Sequence, residues 1–134
     1  MKLIIQIPCF NEADGLPLTL AELPRTVVGF DVVEYLVIDD GSTDGTVAEA
    51  EAAGAGVLQA PTLRRGEIGK ANACLTGAKA LTSRWILFAD ADTWYDPGLL
   101  DLAVAIAEAT RYMLLSFRRG YDSARCMLGV VVPH

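Results

Sequence analysis

Five short apolar runs, separated by stretches of helical character, dominate the 134-residue sequence. Most are near-continuous instead of alternating, which is typical of strands covered on both faces of a sheet. The predicted strands are Leu3–Ile7, Val33–Ile38, Val57–Gln59, Trp85–Ala89 and Met113–Phe117. The predicted helices are Gly15–Leu23, Thr46–Ala53, Gly69–Leu81 and Pro97–Ala109. This alternation with short links predicts a three-layer α/β/α fold with a mostly parallel sheet and right-handed crossovers.

Two of the helix predictions rest on local signals. Asp96 followed by Pro97 is typical of an N-cap and a first helical position. The helix Gly69–Leu81 carries small and apolar residues at helical spacing, which predicts one buried face. The members of that face are Ala71, Cys74, Leu75, Ala78 and Leu81.

The composition indicates one globular domain over residues 1–134. Apolar residues make up 52% of the chain and charged residues 21%, which argues against disorder. A net charge of −6 argues against nucleic acid as a partner. Three widely spaced cysteines are typical of reduced thiols, and no run reaches the ~18 apolar residues of a membrane span. We therefore expect a cytoplasmic protein.

The last stretch of the chain is basic and then apolar. Arg118, Arg119 and Arg125 precede the apolar run that ends at Val132. One interpretation is an amphipathic helix that begins near Asp122. The alternative is a segment, 118–134, that lies at the anionic inner face of a membrane. An apolar run at the terminus also indicates that the natural chain continues.

Two predicted strands end in paired carboxylates. Asp90 and Asp92 follow the fourth strand, and Asp39 and Asp40 follow the second. Because open α/β sheets bind ligands outside the carboxyl ends of their strands, we expect these acids to share one site. Neighbouring carboxylates repel each other unless a cation lies beside them, and a hard divalent metal with a phosphate suits such oxygen ligands. The alternative is turn or helix-capping aspartates.

A polar loop, Pro8–Glu12, follows the first strand and by default forms a turn. Since parallel strand ends lie side by side, this loop should neighbour the loop that contains Asp40. Together they can hold a flat base: a carboxylate accepts a hydrogen bond from a base N–H, and Phe10 supplies an apolar face.

Two further motifs match known loops only in part. The segment 40–51 fits the EF-hand loop pattern, but an apolar β-branched run precedes it where an entering helix is required. The segment 66–72 is similar to a phosphate-binding loop, but Arg64 and Ala71 occupy positions that need Gly and Ser or Thr. Lys70 at a helix N-terminus can still meet a diphosphate as a point charge; the alternative is a solvated lysine.

Taken in order, four segments resemble the family 2 glycosyltransferases of the GT-A (Rossmann-like) fold. The segments are Ile7–Glu12, Leu36–Thr46, Gly69–Ala73 with Gly77, and Leu87–Thr93 with Asp96 and Pro97. The resemblance implies transfer of a sugar from a nucleotide diphosphate donor, a UDP-sugar in the first place, with inversion at the anomeric carbon.

The resemblance also implies roles for individual residues. Asp40 matches the acid that reads the base, and Lys70 matches a basic position near the base and phosphates. Asp92 matches the direct ligand of Mg²⁺ or Mn²⁺, and Asp90 faces the ribose or sugar and is the second candidate ligand. The implied nucleotide-binding set is Pro8, Asn11, Glu12, Asp40, Lys70 and Asp90.

The sequence departs from the family on its C-terminal side, where a general base should lie beside the acceptor. After Asp101 the carboxylates are Glu108 and Asp122, and neither lies in a matching motif. We therefore identify no general base and no acceptor, and we expect the acceptor half to be missing from this chain.

Two other functions fit parts of the pattern. A non-catalytic nucleotide-sugar-binding module would keep the metal site and lack the base. A Mg²⁺-dependent phosphatase of the haloacid-dehalogenase type is similar at Asp90 and Asp92. Those phosphatases need an Asp pair on a later strand, and nothing after Asp92 provides one.

Overall fold

The computed structural model describes residues 1–81, 83, 85–91, 98–110, 114–118 and 127–131, the last two ranges by their backbone alone. The strands in these ranges are β1 Lys2–Cys9, β2 Val32–Asp39, β3 Gly56–Gln59, β4 Trp85–Phe88, β5 Leu114–Arg118 and β6 Met127–Val131. The helices are α1 Leu16–Glu22, α2 Thr46–Ala52, α3 Gly69–Ala80 and α4 Leu99–Thr110.

The strands form one sheet in the order β3-β2-β1-β4-β6-β5. Strands β1 to β4 pair in parallel, whereas β6 runs antiparallel to both β4 and β5. Strands β2 and β3 lie on one side of β1, and β4 lies on the other side of β1. A ligand crevice is therefore expected at the carboxyl ends of β1 and β4, where the strand order reverses. The predicted mostly parallel α/β sheet is confirmed.

Alternate residues of β1 point into two different layers. Leu3, Ile5 and Ile7 are buried in the main apolar core, together with side chains from α1, α2 and α4. Gln6 points to the opposite face, where its side chain contacts α3. The sheet thus lies between two helical layers, which is the predicted three-layer arrangement.

The helical interpretation of the C-terminal stretch was wrong at Met127–Val131. This segment is a strand that inserts between β4 and β5. Its β-branched residues suit a strand, and a partner distant in sequence decides the outcome. The predicted start near Asp122 lies outside the described residues. Contact of the segment 118–134 with a membrane stays a prediction. No helix in the described ranges is both long and apolar enough to cross a membrane.

The buried face of α3 also differs from the predicted one. Ala73 and Gly77 are buried, whereas Ala71 is exposed and Leu75 is 53% exposed. The helix lies close to the sheet on its smallest residues, so the larger apolar side chain of Leu75 points outward. The predicted N-cap of α4 at Asp96 lies outside the described residues.

Candidate functional site

A cleft of about 370 Å³ opens at the carboxyl ends of β1 and β4, beside the first turn of α3. This volume falls within the range of small-molecule sites. The strand order predicts a crevice at this place, and the loop after β2 closes one side of it. The lining residues are Pro8, Cys9, Phe10, Glu12, Asp40, Gly69, Lys70, Ala73, Asp90 and Ala91.

The loops after β1 and β2 are joined by hydrogen bonds between side chains and backbone. The backbone N–H of Asn11 donates to Ser42 Oγ (2.9 Å), and the side-chain Oδ1 of Asn11 accepts from the backbone N–H of Thr43 (2.8 Å). Asn11 adopts a left-handed backbone conformation with φ of 51°, which Asn tolerates better than most residues. The Glu12 N–H donates to Thr46 Oγ1 (2.9 Å). These bonds fix the rim of the cleft on the β1 side.

Asp44 completes this connection between the two loops. Its Oδ1 accepts from the backbone N–H of Thr46 (3.0 Å) and from the Thr46 hydroxyl, and its Oδ2 accepts from the Ala13 N–H (3.2 Å). The hydrogen bond from the Thr46 side chain is the largest cause that lowers the pKa of Asp44. The carboxylate is thus engaged by its own loop, and strand β2 leads into that loop. This arrangement agrees with the rejection of the EF-hand.

The two adjacent acids after β2 have different surroundings. Asp39 is 2% exposed, and its carboxylate accepts from the Ser42 N–H, so it holds the turn. Asp40 lines the cleft. A Cβ added to Gly69 would overlap Asp40 Oδ2 and lie 3.6 Å from its Cγ. The first residue of α3 therefore has to be glycine for the Asp40 carboxylate to lie against it.

Lys70 and Asp90 face each other across the cleft. The Lys70 ammonium donates to Asp90 Oδ1 and forms an ion pair with it. The Lys70 side chain is 58% exposed, whereas that of Asp90 is 22% exposed. The contact joins Lys70, in the first turn of α3, to Asp90, which lies two positions after the end of β4. Asp92, the other half of the acidic pair, lies outside the described residues.

Cys9 lines the cleft and was not predicted as a site residue. Burial, with added repulsion from the carboxylates of Glu12, Asp39 and Asp44, raises the pKa of the Cys9 thiol to about 12. A thiol with this pKa is protonated at neutral pH and is a poor nucleophile or metal ligand. Cys9 therefore contributes packing to the floor of the cleft.

The structure brings together most of the predicted nucleotide-binding residues. Those that line the cleft are Pro8, Glu12, Asp40, Lys70 and Asp90. Asn11 is not part of the lining, and its side-chain oxygen is engaged by Thr43. Gly69, Ala73 and Ala91 were missed, although the glycine directly before Lys70 at a helix start was a signal for a close approach.

Comparison with known sequences decides the family. The profile of the family described as glycosyl transferase family 2 matches residues 4–125. The chain belongs to glycosyl transferase family 2. An uncharacterized glycosyltransferase from Mycobacterium tuberculosis is 35% identical over 104 residues, which are 78% of this chain and 42% of that relative. The chain thus spans about two fifths of the length of that relative. The undecaprenyl-phosphate mannosyltransferase of Micrococcus luteus is 48% identical over 46 residues, or 34% of this chain and 18% of that protein.

Solved structures show the same fold. The glucosyl-3-phosphoglycerate synthase from M. tuberculosis, in complex with Mn²⁺, UDP and glucosyl-3-phosphoglycerate, matches with a TM-score of 0.63 and 26% identity. That match covers 89% of this chain and 44% of the synthase. A mannosyltransferase from Pyrobaculum calidifontis, in complex with GDP-Man and Mn²⁺, matches with a TM-score of 0.72 and 20% identity, over 97% of this chain and 44% of that chain. The predicted GT-A fold and family are confirmed.

Proposed function

We propose that this chain is the donor-binding part of a glycosyltransferase that transfers a sugar, with inversion, from a nucleotide diphosphate to an acceptor. The observation that carries the proposal is the convergence of Asp40, Lys70 and Asp90 on one cleft. A carboxylate for a base, a cation for a diphosphate and a second carboxylate for a metal or a sugar are the three groups that such a donor requires. Membership of the family supports the same conclusion.

The base is proposed to bind between Phe10 and Asp40. The Phe10 side chain lines the cleft and is 57% exposed, so its ring is available to stack on a base. The Asp40 carboxylate, held against Gly69, can accept a hydrogen bond from a base N–H. Hydrogen bonds to charged groups are the stronger ones, and they discriminate between bases that do and do not offer a donor. A UDP-sugar is the favoured donor, since the similar synthase from M. tuberculosis binds UDP.

The diphosphate is proposed to bind near Lys70. The N-terminus of a twelve-residue helix, α3, presents unpaired N–H groups and a partial positive charge at this position. The Lys70 ammonium adds a full charge on the same turn. Both groups stabilise the negative charge that the leaving nucleoside diphosphate gains in the transition state.

A divalent cation, Mg²⁺ or Mn²⁺, fits the donor set at the end of β4. Asp90 presents a carboxylate to the cleft, and hard cations prefer such oxygen ligands. The described residues contain no group of three or more acidic, histidine or cysteine side chains that could hold a metal alone. Since Mg²⁺ commonly uses one or two carboxylates together with substrate phosphates, Asp90 and Asp92 are a sufficient protein contribution. When bound, the cation would neutralise charge on the leaving diphosphate.

The proposal includes no general base. Past Asp101, the part of the chain that the structure describes contains one carboxylate, Glu108, and it is exposed on α4. The relative from M. tuberculosis is more than twice as long as the matched segment, and the acceptor site and the general base stay unassigned. A non-catalytic nucleotide-sugar-binding module remains the second candidate, favoured by this same absence among the described residues.

Calorimetric titration tests the proposal directly. UDP, GDP and TDP are titrated with Mn²⁺, with Mg²⁺ and with a chelator, and we expect one of them to bind with a clear metal dependence. Asp92→Ala should remove the metal-dependent part, whereas Glu108→Gln, an exposed change on α4, should leave binding unaltered. Absence of binding by all three nucleotides would contradict the proposal. Hydrolysis of a generic phosphomonoester would favour the phosphatase alternative.

A further inference from the structure

A glutamine lies in the middle of the sheet, where apolar side chains would be expected. Gln6 is 0% exposed in the central part of β1, and the neighbouring Ile5 and Ile7 on the other face are equally buried. Burial of an amide is unfavourable unless its hydrogen bonds are satisfied. The side chain therefore calls for a specific explanation.

Within the described part of the chain, the Gln6 side chain makes one hydrogen bond, and its partner lies in α3. Its Nε2 donates to the backbone carbonyl of Cys74 at 2.8 Å. Its Oε1 has no hydrogen-bond partner among the described residues. The side-chain oxygen of Gln6 is thus unsatisfied within the described ranges. Gln6 therefore lowers the stability of the fold relative to an apolar side chain of the same length.

Gly77 lies directly against the side-chain amide of Gln6. A Cβ added to Gly77 would lie 2.6 Å from Gln6 Nε2 and closer still to Oε1. With a side chain at position 77, either the Gln6 amide or the helix would have to move. The buried residues of α3 are Ala73 and Gly77, neither of which offers a large side chain to lock the helix along the sheet.

Apolar contact between small residues is non-directional, so it leaves the position of α3 along its axis weakly defined. The hydrogen bond from Gln6 ties α3 to β1, because the acceptor is one particular carbonyl, and a second hydrogen bond, from Asn72 Nδ2 to the Pro61 carbonyl (3.0 Å), ties α3 to the loop after β3. Cys74 lies about one helical turn after Lys70. A helix that is fixed at Cys74 also has its first turn fixed, with Gly69 against Asp40 and Lys70 against Asp90.

We infer that Gln6 is a positioning residue, which sets α3 on the sheet so that Gly69 and Lys70 meet the cleft. This inference rests on the proposed nucleotide site for its functional consequence. Gln6 does not line the cleft itself and acts through the helix. The buried amide of Gln6 thus lowers the stability of the fold, and its hydrogen bond to Cys74 defines the geometry of the cleft.

The test is Gln6→Met in the full chain. Methionine has nearly the same length and no branch, so it fills the space beside Gly77 and removes the unsatisfied amide. We expect an unchanged or higher melting temperature. Because the first turn of α3 is then free to shift, we also expect the affinity for the nucleotide diphosphate that the wild type binds to fall by about 5- to 20-fold, comparable with the loss of one hydrogen bond. A purely structural role would not produce weaker binding without weaker folding.

The matched control is Tyr35→Phe. The Tyr35 hydroxyl donates to the backbone carbonyls of Leu23 and Pro24 (3.2 and 2.8 Å), away from the cleft. This change removes a buried hydrogen bond and should lower the melting temperature while nucleotide affinity stays the same. Unchanged affinity in Gln6→Met, or a loss of affinity in proportion to a loss of stability, would overturn the inference.

A second measurement needs no nucleotide and separates this inference from the proposed function. In two-dimensional NMR spectra of the free protein, Gln6→Met should move the amide resonances of Gly69 and Lys70. Changes confined to residues 73–78 would show a local role and would overturn the inference even if the wild type binds nucleotide. If the wild type binds none of the nucleotides, the proposed function fails, and the resonances of Gly69 and Lys70 still decide whether Gln6 positions the helix.

Discussion

The Lys70 ammonium and the Asp90 carboxylate form an ion pair across the cleft. In the absence of a ligand each group neutralises the other. A nucleotide diphosphate with a divalent cation offers a better partner to both, since the phosphates attract Lys70 and the cation attracts Asp90. The pair therefore links the two binding events: whichever ligand arrives first frees one partner for the second, and such coupling must be reciprocal.

Lys70→Ala should weaken the binding of UDP more than the binding of uridine, because only UDP carries the charge that Lys70 is proposed to contact. Hydrogen bonds to charged groups are worth about 1.5–3 kcal/mol, or roughly 10- to 150-fold in affinity. The control is Lys79→Ala, which removes the same charge at the other end of α3. Calorimetry with both ligands measures the difference, and an equal loss for UDP and uridine would place Lys70 on a solvated face instead.

Lys70→Met should also strengthen the binding of Mn²⁺ alone. In the wild type the ammonium occupies Asp90 Oδ1, so a cation has to displace it before binding. Removing the ammonium removes that competition and leaves the carboxylate available. Electron paramagnetic resonance of free Mn²⁺, measured without nucleotide, reports the change. Weaker Mn²⁺ binding in Lys70→Met than in the wild type would show that the ion pair does not compete with the metal.

The positions of the acids were predictable from sequence because the ends of parallel strands are set by local pattern. A near-continuous apolar run followed by an acid places Asp40 and Asp90 at the same edge of the sheet. The side chain of Asn11 was harder to predict. The sequence predicted that the two loops are neighbours, but no local pattern specifies that Asn11 accepts a hydrogen bond from the backbone of Thr43, 32 positions later.

The parts that the sequence did not predict depend on contacts between distant elements. The strand Met127–Val131 pairs with β4 some 40 positions earlier, and its apolar run alone fits helix or strand. The outward direction of Leu75 follows from the close approach of Gln6 to Gly77. Helical spacing marks which residues share a face, but the partner across the interface decides which face is buried.

Gly69→Ala should weaken nucleotide binding with little effect on the rest of the fold. The new Cβ would overlap Asp40 Oδ2, so either the carboxylate or the first turn of α3 has to move. Loss of a hydrogen bond between the Asp40 carboxylate and the base would cost about 1.5–3 kcal/mol, so we expect at least a tenfold loss of UDP affinity. Gly15→Ala is the matched control, because nothing lies within 4 Å of its added Cβ. Equal affinities for the two variants would contradict the tight contact between Gly69 and Asp40.

The raised pKa of Cys9 predicts a loss of stability at high pH. The unfolded thiol titrates near the model-compound value of 9.0, whereas the folded thiol titrates at about 12. Between these values the unfolded state releases a proton that the folded state retains, so the free energy of unfolding falls as pH rises from 9 toward 12. The slope from this one group approaches about 1.4 kcal/mol per pH unit. Well below pH 9 the contribution is constant, because the thiol is protonated in both states.

Urea unfolding at pH 8, 9 and 10 measures this effect against the variant Cys9→Ala. Other groups also titrate in this range, but they are common to both proteins and cancel in the difference. The free energy of unfolding of the wild type should fall relative to that of Cys9→Ala by about 1 kcal/mol between pH 9 and 10. Parallel pH profiles would mean that the thiol is accessible to water in the folded state, and the floor of the cleft would then be open where Cys9 lies.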